Sequence, residues 1–489
     1  MKINNIYKYL FITILAFGCS DEDIFEKDPD SIVIENFFQT EEEFSLAIRG
    51  AYNRMKTVGY YGGSGASGDL TITGDLLADN LITNAEGRGS NFRSHNWQYN
   101  DNTSPTSIYD QAYIIISRAN IVLDNIDNLP ASDFKNRITA EALALRAACH
   151  FDVARFYSQV PTQSSAASGS LGVAYLDTFD PILLPERLAT VSEVYEKIND
   201  DLNRAVNLMP SGEAPEIGRF DLNAIRGIIS RVALHEGDYD RVIQYGQPVI
   251  NNEAPAAASQ LATLWTSASS EGVLFELPFI VSDPLLDSNY SQGTGINMLA
   301  EYSVDKAFFD LYDPAVEPER IAAYFLLNNN WIVCNKYING VLQTGLNNGR
   351  YLRVEEVILN VAEAYYLKTA PDPAKARETL DILRNDRYSS FTGNETGDAL
   401  FDAIMLERRK ELAFESSDRW FTLKRLQNVS GIPNSYKQGV VRSGNGYLAD
   451  GTGTAPAELT LPAGDHRWQL PIQKFYIDQN PNIKQNPEY

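Results

Sequence analysis

Cysteine, histidine and methionine are scarce in this chain of 489 residues, which contains 3 Cys, 4 His and 5 Met. The two cysteines after Cys19, Cys149 and Cys334, have neither the paired spacing of a zinc site nor the pattern of a disulfide framework. One optional disulfide and two unpaired core thiols both fit them. No H-E-x-x-H or G-x-S-x-G sequence occurs, so hydrolase chemistry has no visible metal or nucleophile. We expect no catalysis, no metal and no cofactor.

Positively charged residues are also outnumbered: the chain has 41 Lys and Arg and 64 Asp and Glu, which gives a net charge of −23. A surface of this sign repels phosphate backbones, which argues against a nucleic-acid partner. No apolar run after residue 18 is long enough to cross a bilayer.

The first residues have the layout of an export signal. Lys2 and Lys8 precede the mostly apolar stretch 9–17, and Gly18 and Cys19 close it. The stretch is too short to span a bilayer as a stable helix. A cysteine at the cleavage point becomes a lipid-bearing N-terminus, although an ordinary secretory signal with an incidental cysteine has a similar layout.

We therefore predict a lipoprotein signal peptide over 1–18, an acidic linker over 19–39 and a membrane tether at Cys19. The remainder divides into an N-terminal part, 40–255, and a C-terminal part, 256–489, that form one intertwined globular domain.

Helical periodicity dominates the remainder of the chain. Thr40 with Glu43, and Thr190 with Glu193, fit capping boxes that begin amphipathic helices. Antiparallel pairs with small residues near the crossing resemble tetratricopeptide units, and long irregular insertions with a few short strands separate them. The predicted helices cover about 40–55, 108–126, 133–158, 190–252 (two helices and then a third), 351–385 (a pair) and 398–415.

Several C-terminal segments have a recognisable order: Glu407 to Glu415, then Arg419-Trp420-Phe421 and Leu423-Lys424-Arg425, then Leu470-Pro471-Ile472 and Asn480-Pro481-Asn482. Together with Arg146 to Asp152 and the N-terminal signal, they resemble the SusD/RagB family. The chain departs from the family pattern after Glu415, where Ser416-Ser417-Asp418 makes the turn one residue longer.

The resemblance implies a mostly α SusD-like superhelix and an outer-membrane lipoprotein, lipid-anchored at the cell surface. It also implies a non-enzymatic protein that captures oligosaccharide and delivers it to a TonB-dependent outer-membrane transporter. A peptide-capturing RagB-like binder and a tetratricopeptide-type scaffold are the alternatives.

Aromatic residues are abundant, with 26 Tyr, 22 Phe and 5 Trp, and many lie in polar insertions. Aromatic faces cover the C–H faces of sugars, and Asn, Asp and Arg satisfy their hydroxyls. We expect Trp97 to lead the site and Trp97→Ala to weaken binding without unfolding the protein; the alternative is that Trp97 and Trp331 anchor their loops to the core. The candidate ligand residues are Tyr60, Tyr61, Asp79, Arg88, Trp97, Asn102, Tyr290, Tyr302 and Trp331.

The carboxylates Glu407, Glu411 and Glu415 share one predicted helical face, with cations between them. A glycosidase needs carboxylates that oppose each other across a cleft. We therefore expect this row to form ion pairs within and beyond its helix.

Overall fold

The structure is a computed structural model, and it describes residues 37–64, 69–212, 216–292, 298–328 and 330–489. The predicted signal peptide and Cys19 lie outside the described residues. Helices dominate the described chain, as predicted. They are α1 Glu41–Arg54, α2 Thr73–Leu77, α3 Phe92–His95, α4 Ile108–Asn125, α5 Asp133–Tyr157, α6 Val191–Leu208, α7 Leu222–Glu236, α8 Tyr239–Asn252, α9 Leu261–Trp265, α10 Lys306–Phe309, α11 Pro318–Tyr324, α12 Val354–Leu367, α13 Pro373–Arg387, α14 Asp398–Glu411, α15 Asp418–Arg425 and α16 Lys474–Gln479.

Short antiparallel strand pairs lie in the insertions between the helices, which confirms the predicted mixture of loops and strands. The strands are β1 Leu81–Thr83, β2 Val273–Leu277, β3 Ser291–Gln292, β4 Leu299–Ala300, β5 Tyr302–Val304, β6 Phe325–Leu327, β7 Ile332–Cys334, β8 Gly349–Arg353, β9 Gly439–Val441 and β10 Thr460–Pro462. The pairs are β1–β5, β2–β8, β3–β4, β6–β7 and β9–β10.

Both predicted capping boxes form. The Thr40 hydroxyl accepts from the Glu43 backbone N–H at 3.3 Å, and the Glu43 carboxylate accepts from the Thr40 N–H at 2.8 Å. Thr190 and Glu193 make the same reciprocal bonds at the start of α6. These bonds satisfy amide groups that have no partner within the first helical turn, so they fix where each helix begins.

The helices pack as antiparallel pairs, notably α4 with α5, α7 with α8, and α12 with α13. Gly237 adopts a left-handed φ of +77° at the end of α7, and the Asp238 side chain caps α8. A Cβ atom on Gly246 of α8 would clash with Val361 of α12, so the small residue permits the close crossing. The tetratricopeptide-like pairing is therefore confirmed.

Contacts between α12 and the pair α7–α8 join the two predicted parts of the chain. Arg231 of α7 also forms a buried ion pair with Glu356 of α12, with Nε–Oε1 at 2.6 Å. The boundary between the parts, near residue 255, stays a prediction.

Helix α14 ends at Glu411, about four residues before the predicted end. Phe414, Ser416 and Ser417 have φ values of 67°, 48° and 58°. This left-handed backbone cannot continue a helix, and the Ser417 hydroxyl fastens the turn by donating to Leu70 O at 3.0 Å. The longer turn after Glu415 is thus built from polar residues where glycine is the usual choice.

Cys149 and Cys334 are both buried and unpaired. Of the two expectations for this pair, the structure therefore shows two core thiols and not a disulfide. None of the described helices combines the length and apolar character that a membrane crossing requires.

Candidate ligand-binding surface

The two polar insertions predicted to carry the ligand site meet in space. We call the resulting face the loop surface. It consists of residues 84–92, the strand pairs β3–β4 and β6–β7 with Asn330 and Trp331, and loop 443–457.

The β1–β5 ladder brings the first insertion against the second. Thr83 pairs with Tyr302 and Leu81 with Val304. Directly after β1, the Asn84 side-chain amide donates to Ala300 O at 2.7 Å, which fixes the segment 84–92 against strand β4. The position of the loop therefore depends on pairing between segments more than 200 residues apart.

Arg88 is the exposed cation of this surface. Its Nε donates to Glu301 Oε2 at 2.9 Å, and the Gln292 amide donates to the same oxygen. The Arg88 side chain is 47% exposed, whereas that of Glu301 is fully buried. Glu301 thus orients the guanidinium from below and leaves part of it available to a ligand.

An aromatic ring, Phe92, follows Arg88 by four residues at the start of α3 and is 49% exposed. Asn91 precedes it with a left-handed φ of 55°, and its amide donates to the Tyr302 hydroxyl at 2.7 Å. Tyr302 is buried beneath the loop. The anchored left-handed residue turns the backbone so that the next ring faces outward.

Loop 443–457 joins the two insertions. The Tyr447 hydroxyl donates to Glu86 Oε1 at 2.9 Å, and the Ala449 N–H donates to Asn330 O at 2.9 Å. Trp331, next to Asn330, is 7% exposed, and its backbone N–H donates to Asn328 Oδ1 at 2.7 Å.

The loop surface therefore presents a ring face, a guanidinium, carboxylates and amides at a shallow site. This set suits a ligand with apolar C–H faces and many hydroxyl groups. Within the described ranges, no group of three or more His, Cys, Asp or Glu side chains is placed to hold a metal ion.

Among the predicted ligand residues, the structure brings together Arg88, Tyr302 and Trp331. Arg88 reaches solvent, whereas Tyr302 and Trp331 support the loops from inside. For Trp331 the observed placement matches the alternative expectation of a loop anchor.

Trp97 is a core residue, which corrects the expectation that its ring is offered to a ligand. It is 2% exposed, and its indole N–H donates to Leu77 O at 2.9 Å. The Arg442 guanidinium lies 3.9 Å from the ring centroid and covers one face. Burial lowers the pKa of Arg442 to about 9. With no free ring face, Trp97 anchors its loop to the core.

The tyrosines predicted near the ligand at positions 60, 61 and 290 are also buried, with no measurable exposure. Tyr60 donates to Asp152 Oδ2 at 2.6 Å, and Tyr290 donates to Thr71 O at 2.9 Å. Tyr61 donates to Arg350 O at 2.5 Å. Each hydroxyl has an internal partner, so these rings fill the core and the expectation of a ligand-facing role is corrected.

Asp79 is likewise occupied inside the protein. Arg419 donates to both of its carboxylate oxygens, at 2.7 and 2.8 Å, and Arg409 lies 3.1 Å away. Burial by itself raises the pKa of Asp79, but Arg409 and Arg419 outweigh it and hold the pKa well below its usual range. Asp79 is therefore an internal ion-pair partner, not an exposed hydrogen-bond group.

Asn102 is exposed but belongs to another part of the surface. The neighbouring Asp101 carbonyl accepts from the Lys474 N–H at 2.8 Å, which places this loop beside α16. Asn102 is not part of the loop surface.

Sequence reasoning missed Phe92, Glu86 and Tyr447. Phe92 lies between Asn91 and Arg93 in the first polar insertion, so its polar neighbours were a usable signal. Tyr447 had no such signal, because its pairing with Glu86 spans more than 350 residues.

The row of Glu407, Glu411 and Glu415 forms ion pairs, as predicted, although none of those found lies within the helix. Glu411 contacts three buried guanidinium groups at 2.8 to 3.1 Å, those of Arg320, Arg353 and Arg387. Burial opposes its ionisation, but these cations hold the pKa of Glu411 well below its usual range. The row is an internal electrostatic network.

Comparison with known proteins gives the same family for both ends of the chain. Residues 52–234 match a family model described as "Starch-binding associating with outer membrane", and residues 318–489 match the SusD family model. A curated relative, SusD-like protein P2 of Formosa agariphila, is 30% identical over 254 residues, which cover 51% of this chain and 46% of the relative. The chain thus matches less than half the length of the curated relatives.

Solved structures share the fold. A SusD superfamily protein from Bacteroides vulgatus aligns with a TM-score of 0.76 at 22% identity, over 92% of this chain and 99% of that one. Surface glycan-binding protein A from Bacteroides uniformis aligns with a TM-score of 0.72 at 17% identity, over 91% and 99%. Since the two family models and the fold agree, the chain belongs to the SusD/RagB family.

Proposed function

We propose that the loop surface binds oligosaccharide as a nutrient and performs no chemistry on it. The observation that carries the proposal is that one segment, 84–92, exposes both the Phe92 ring and the Arg88 guanidinium that Glu301 orients, at the place where the two insertions meet. The starch-binding description of the matching family model and the structural similarity to a glycan-binding protein from Bacteroides uniformis support it.

The chemistry follows from the contacts. The Phe92 face covers the C–H face of a sugar ring, and this stacking needs no directional partner. Arg88 donates to ring hydroxyls, and Glu86 accepts from them. Because Glu301 already fixes Arg88, little side-chain freedom is lost when a ligand binds.

Two finer parts of the proposal rest on the sequence and on the family. Cys19 carries a lipid anchor that holds the protein at the outer membrane, facing outward. The bound oligosaccharide then passes to a TonB-dependent outer-membrane transporter. Protease accessibility in intact cells tests the orientation, and Cys19→Ala is expected to release the protein from the membrane fraction.

The binding test begins with affinity electrophoresis of the purified chain through gels that contain different polysaccharides, and titration calorimetry follows on the best oligosaccharide. We expect Phe92→Ala to weaken binding about three- to tenfold, the value of one aromatic contact. Arg88→Ala is expected to weaken it by a similar factor. Phe475→Ala is the matched control, because Phe475 is 60% exposed on α16, outside the loop surface.

Unchanged glycan affinity in both Phe92→Ala and Arg88→Ala would remove the loop surface from the proposal. The same panel includes peptides, since a peptide-capturing protein remains the alternative. Binding of peptides and of no glycan would decide for that alternative.

A further inference from the structure

A second exposed apolar feature lies between α5 and α6 and shares no residue with the loop surface. We call residues 180–186 the leucine loop. Ile182 is 85% exposed, Leu183 47% and Leu184 51%, with a proline on either side of the three. Large contiguous patches of exposed apolar side chains mark interaction sites on soluble proteins, so this run is a candidate for one.

The leucine loop is held in a defined conformation. The Asn480 amide donates to Pro185 O, and the Asn482 amide donates to Leu184 O, both at 2.9 Å. The Asp180 side chain accepts from the Ile182 N–H at 3.0 Å. Since these bonds and the two prolines fix the backbone, the apolar side chains are presented without a large entropic cost of ordering on binding.

A cavity of about 320 Å³ opens beside the loop, with Leu183 and Leu184 in its wall. Three tyrosine rings line it. The Tyr109 centroid lies 5.0 Å from that of Tyr113 and 5.8 Å from that of Tyr476. The Tyr113 hydroxyl is already used, since it donates to Ala174 O at 2.8 Å. The cavity therefore offers mainly apolar surface, and its volume suits one or two large apolar side chains.

The exposed charge around the cavity is mainly acidic. Asp110 lines it, and Asp180 and Glu186 are exposed at the two ends of the leucine loop. Two cations lie nearby: Lys484 is exposed near the cavity wall, and the buried Arg187 donates to the Lys484 carbonyl and to Asn486 Oδ1, both at 2.9 Å. Lys474 is paired with Asp478 at 2.6 Å. A partner that fits this rim carries positive charge.

We propose that the leucine loop and the tyrosine-lined cavity dock a polypeptide partner, which inserts an aliphatic or aromatic side chain flanked by Lys or Arg. A buried apolar anchor with charged neighbours at the rim is the usual anatomy of a protein-binding hot spot. A sugar fits less well, because exposed leucines leave its hydroxyls without partners.

The test selects peptides against the purified full-length chain. A phage-displayed library of random 12-residue peptides is panned on the wild type, and enriched sequences are synthesised with a fluorescent label. Fluorescence polarisation then measures their affinity for the wild type, Leu183→Asp and Leu184→Asp. Phe92→Ala is the control, because it removes an exposed ring from the loop surface and leaves this cavity intact.

We expect the enriched peptides to share a large apolar residue next to Lys or Arg. We expect either aspartate variant to weaken their binding at least tenfold, while Phe92→Ala leaves it unchanged. Thermal unfolding of both variants should match the wild type, because the substituted side chains are exposed.

Three results would each overturn the proposal. One is that no peptide sequence is enriched, and another is that the enriched peptides bind Leu183→Asp and Leu184→Asp as tightly as the wild type. The third is a dimer in light scattering that Leu183→Asp abolishes, since the occupant would then be a second copy of the chain. The glycan titrations of Phe92→Ala are read separately, so failure of one surface does not imply failure of the other.

Discussion

Replacement of Trp97 by alanine is expected to destabilise the protein and to leave glycan affinity unchanged. The substitution removes a buried ring, a hydrogen bond to Leu77 O and the surface on which Arg442 lies. Arg442 keeps its bonds to backbone carbonyls, such as the one to Ala78 O at 2.9 Å. It nevertheless stays buried beside a new cavity.

The magnitude follows from these contacts. Truncation of a core Trp to Ala costs about 3–5 kcal/mol, and Leu77 O keeps a second donor, Arg442 Nη2 at 3.4 Å. The unfolding entropy is about 2.1 cal/mol/K per residue, so 489 residues correspond to about 1 kcal/mol/K. The expected loss of Tm is therefore about 3–5 °C.

Differential scanning calorimetry measures the Tm of the wild type, Trp97→Ala and Trp97→Phe, and calorimetric titration at 20 °C measures oligosaccharide affinity. Trp97→Phe keeps a ring and loses only the N–H, so its Tm should fall between the other two. A Tm within about 1 °C of the wild type, together with at least tenfold weaker binding by Trp97→Ala, would refute the core assignment.

Three further predictions concern buried ionisable groups. Glu411→Gln should lower the free energy of unfolding by about 3–5 kcal/mol in urea titrations, because it leaves three buried guanidinium groups without full charge compensation. Glu378→Gln is the control: Glu378 belongs to an exposed ion pair, so this substitution should change the free energy of unfolding by less than about 1 kcal/mol. Burial raises the pKa of Glu236 to about 7, so the folded state loses stability as pH rises from about 4.5 to 7. Glu236→Gln should thus exceed the wild type in Tm at about pH 8 and match it at about pH 4. Burial also raises the pKa of Cys149 and of Cys334, so maleimide should label neither in the native protein and both in urea, as read by mass spectrometry.

Most of the helical framework was predictable because its signals are local. The capping boxes at Thr40 and Thr190 and the turn at Gly237 each involve residues within one helical turn. The end of α14 was predicted too late for the opposite reason. Ser416 and Ser417 hold left-handed backbone through bonds to Tyr351 O and Leu70 O, and these partners are distant in sequence.

The location of the candidate site could be predicted from the sequence. Most of the aromatic side chains predicted to face a ligand, however, are buried. The two polar insertions do meet, and Arg88 is exposed between them. A tyrosine or tryptophan in a polar loop, however, has the same local sequence whether its ring points inward or outward. Only the tertiary partners, such as Leu77 O for Trp97 and Thr71 O for Tyr290, decide between the two.

The family signature and the ligand preference therefore lie on different residues. The charged residues of the signature face partners far along the chain: Arg409 pairs with Asp79, and Glu411 pairs with Arg320. Since an unpaired buried charge is costly, each of these residues constrains the fold strongly. Each has little influence on which ligand is bound. The Phe92 ring, in contrast, carries no charge that needs a buried partner, and it is half exposed. Substitutions in the signature should consequently change stability across any set of ligands, whereas a change at Phe92 should alter which glycan is bound while the fold is kept.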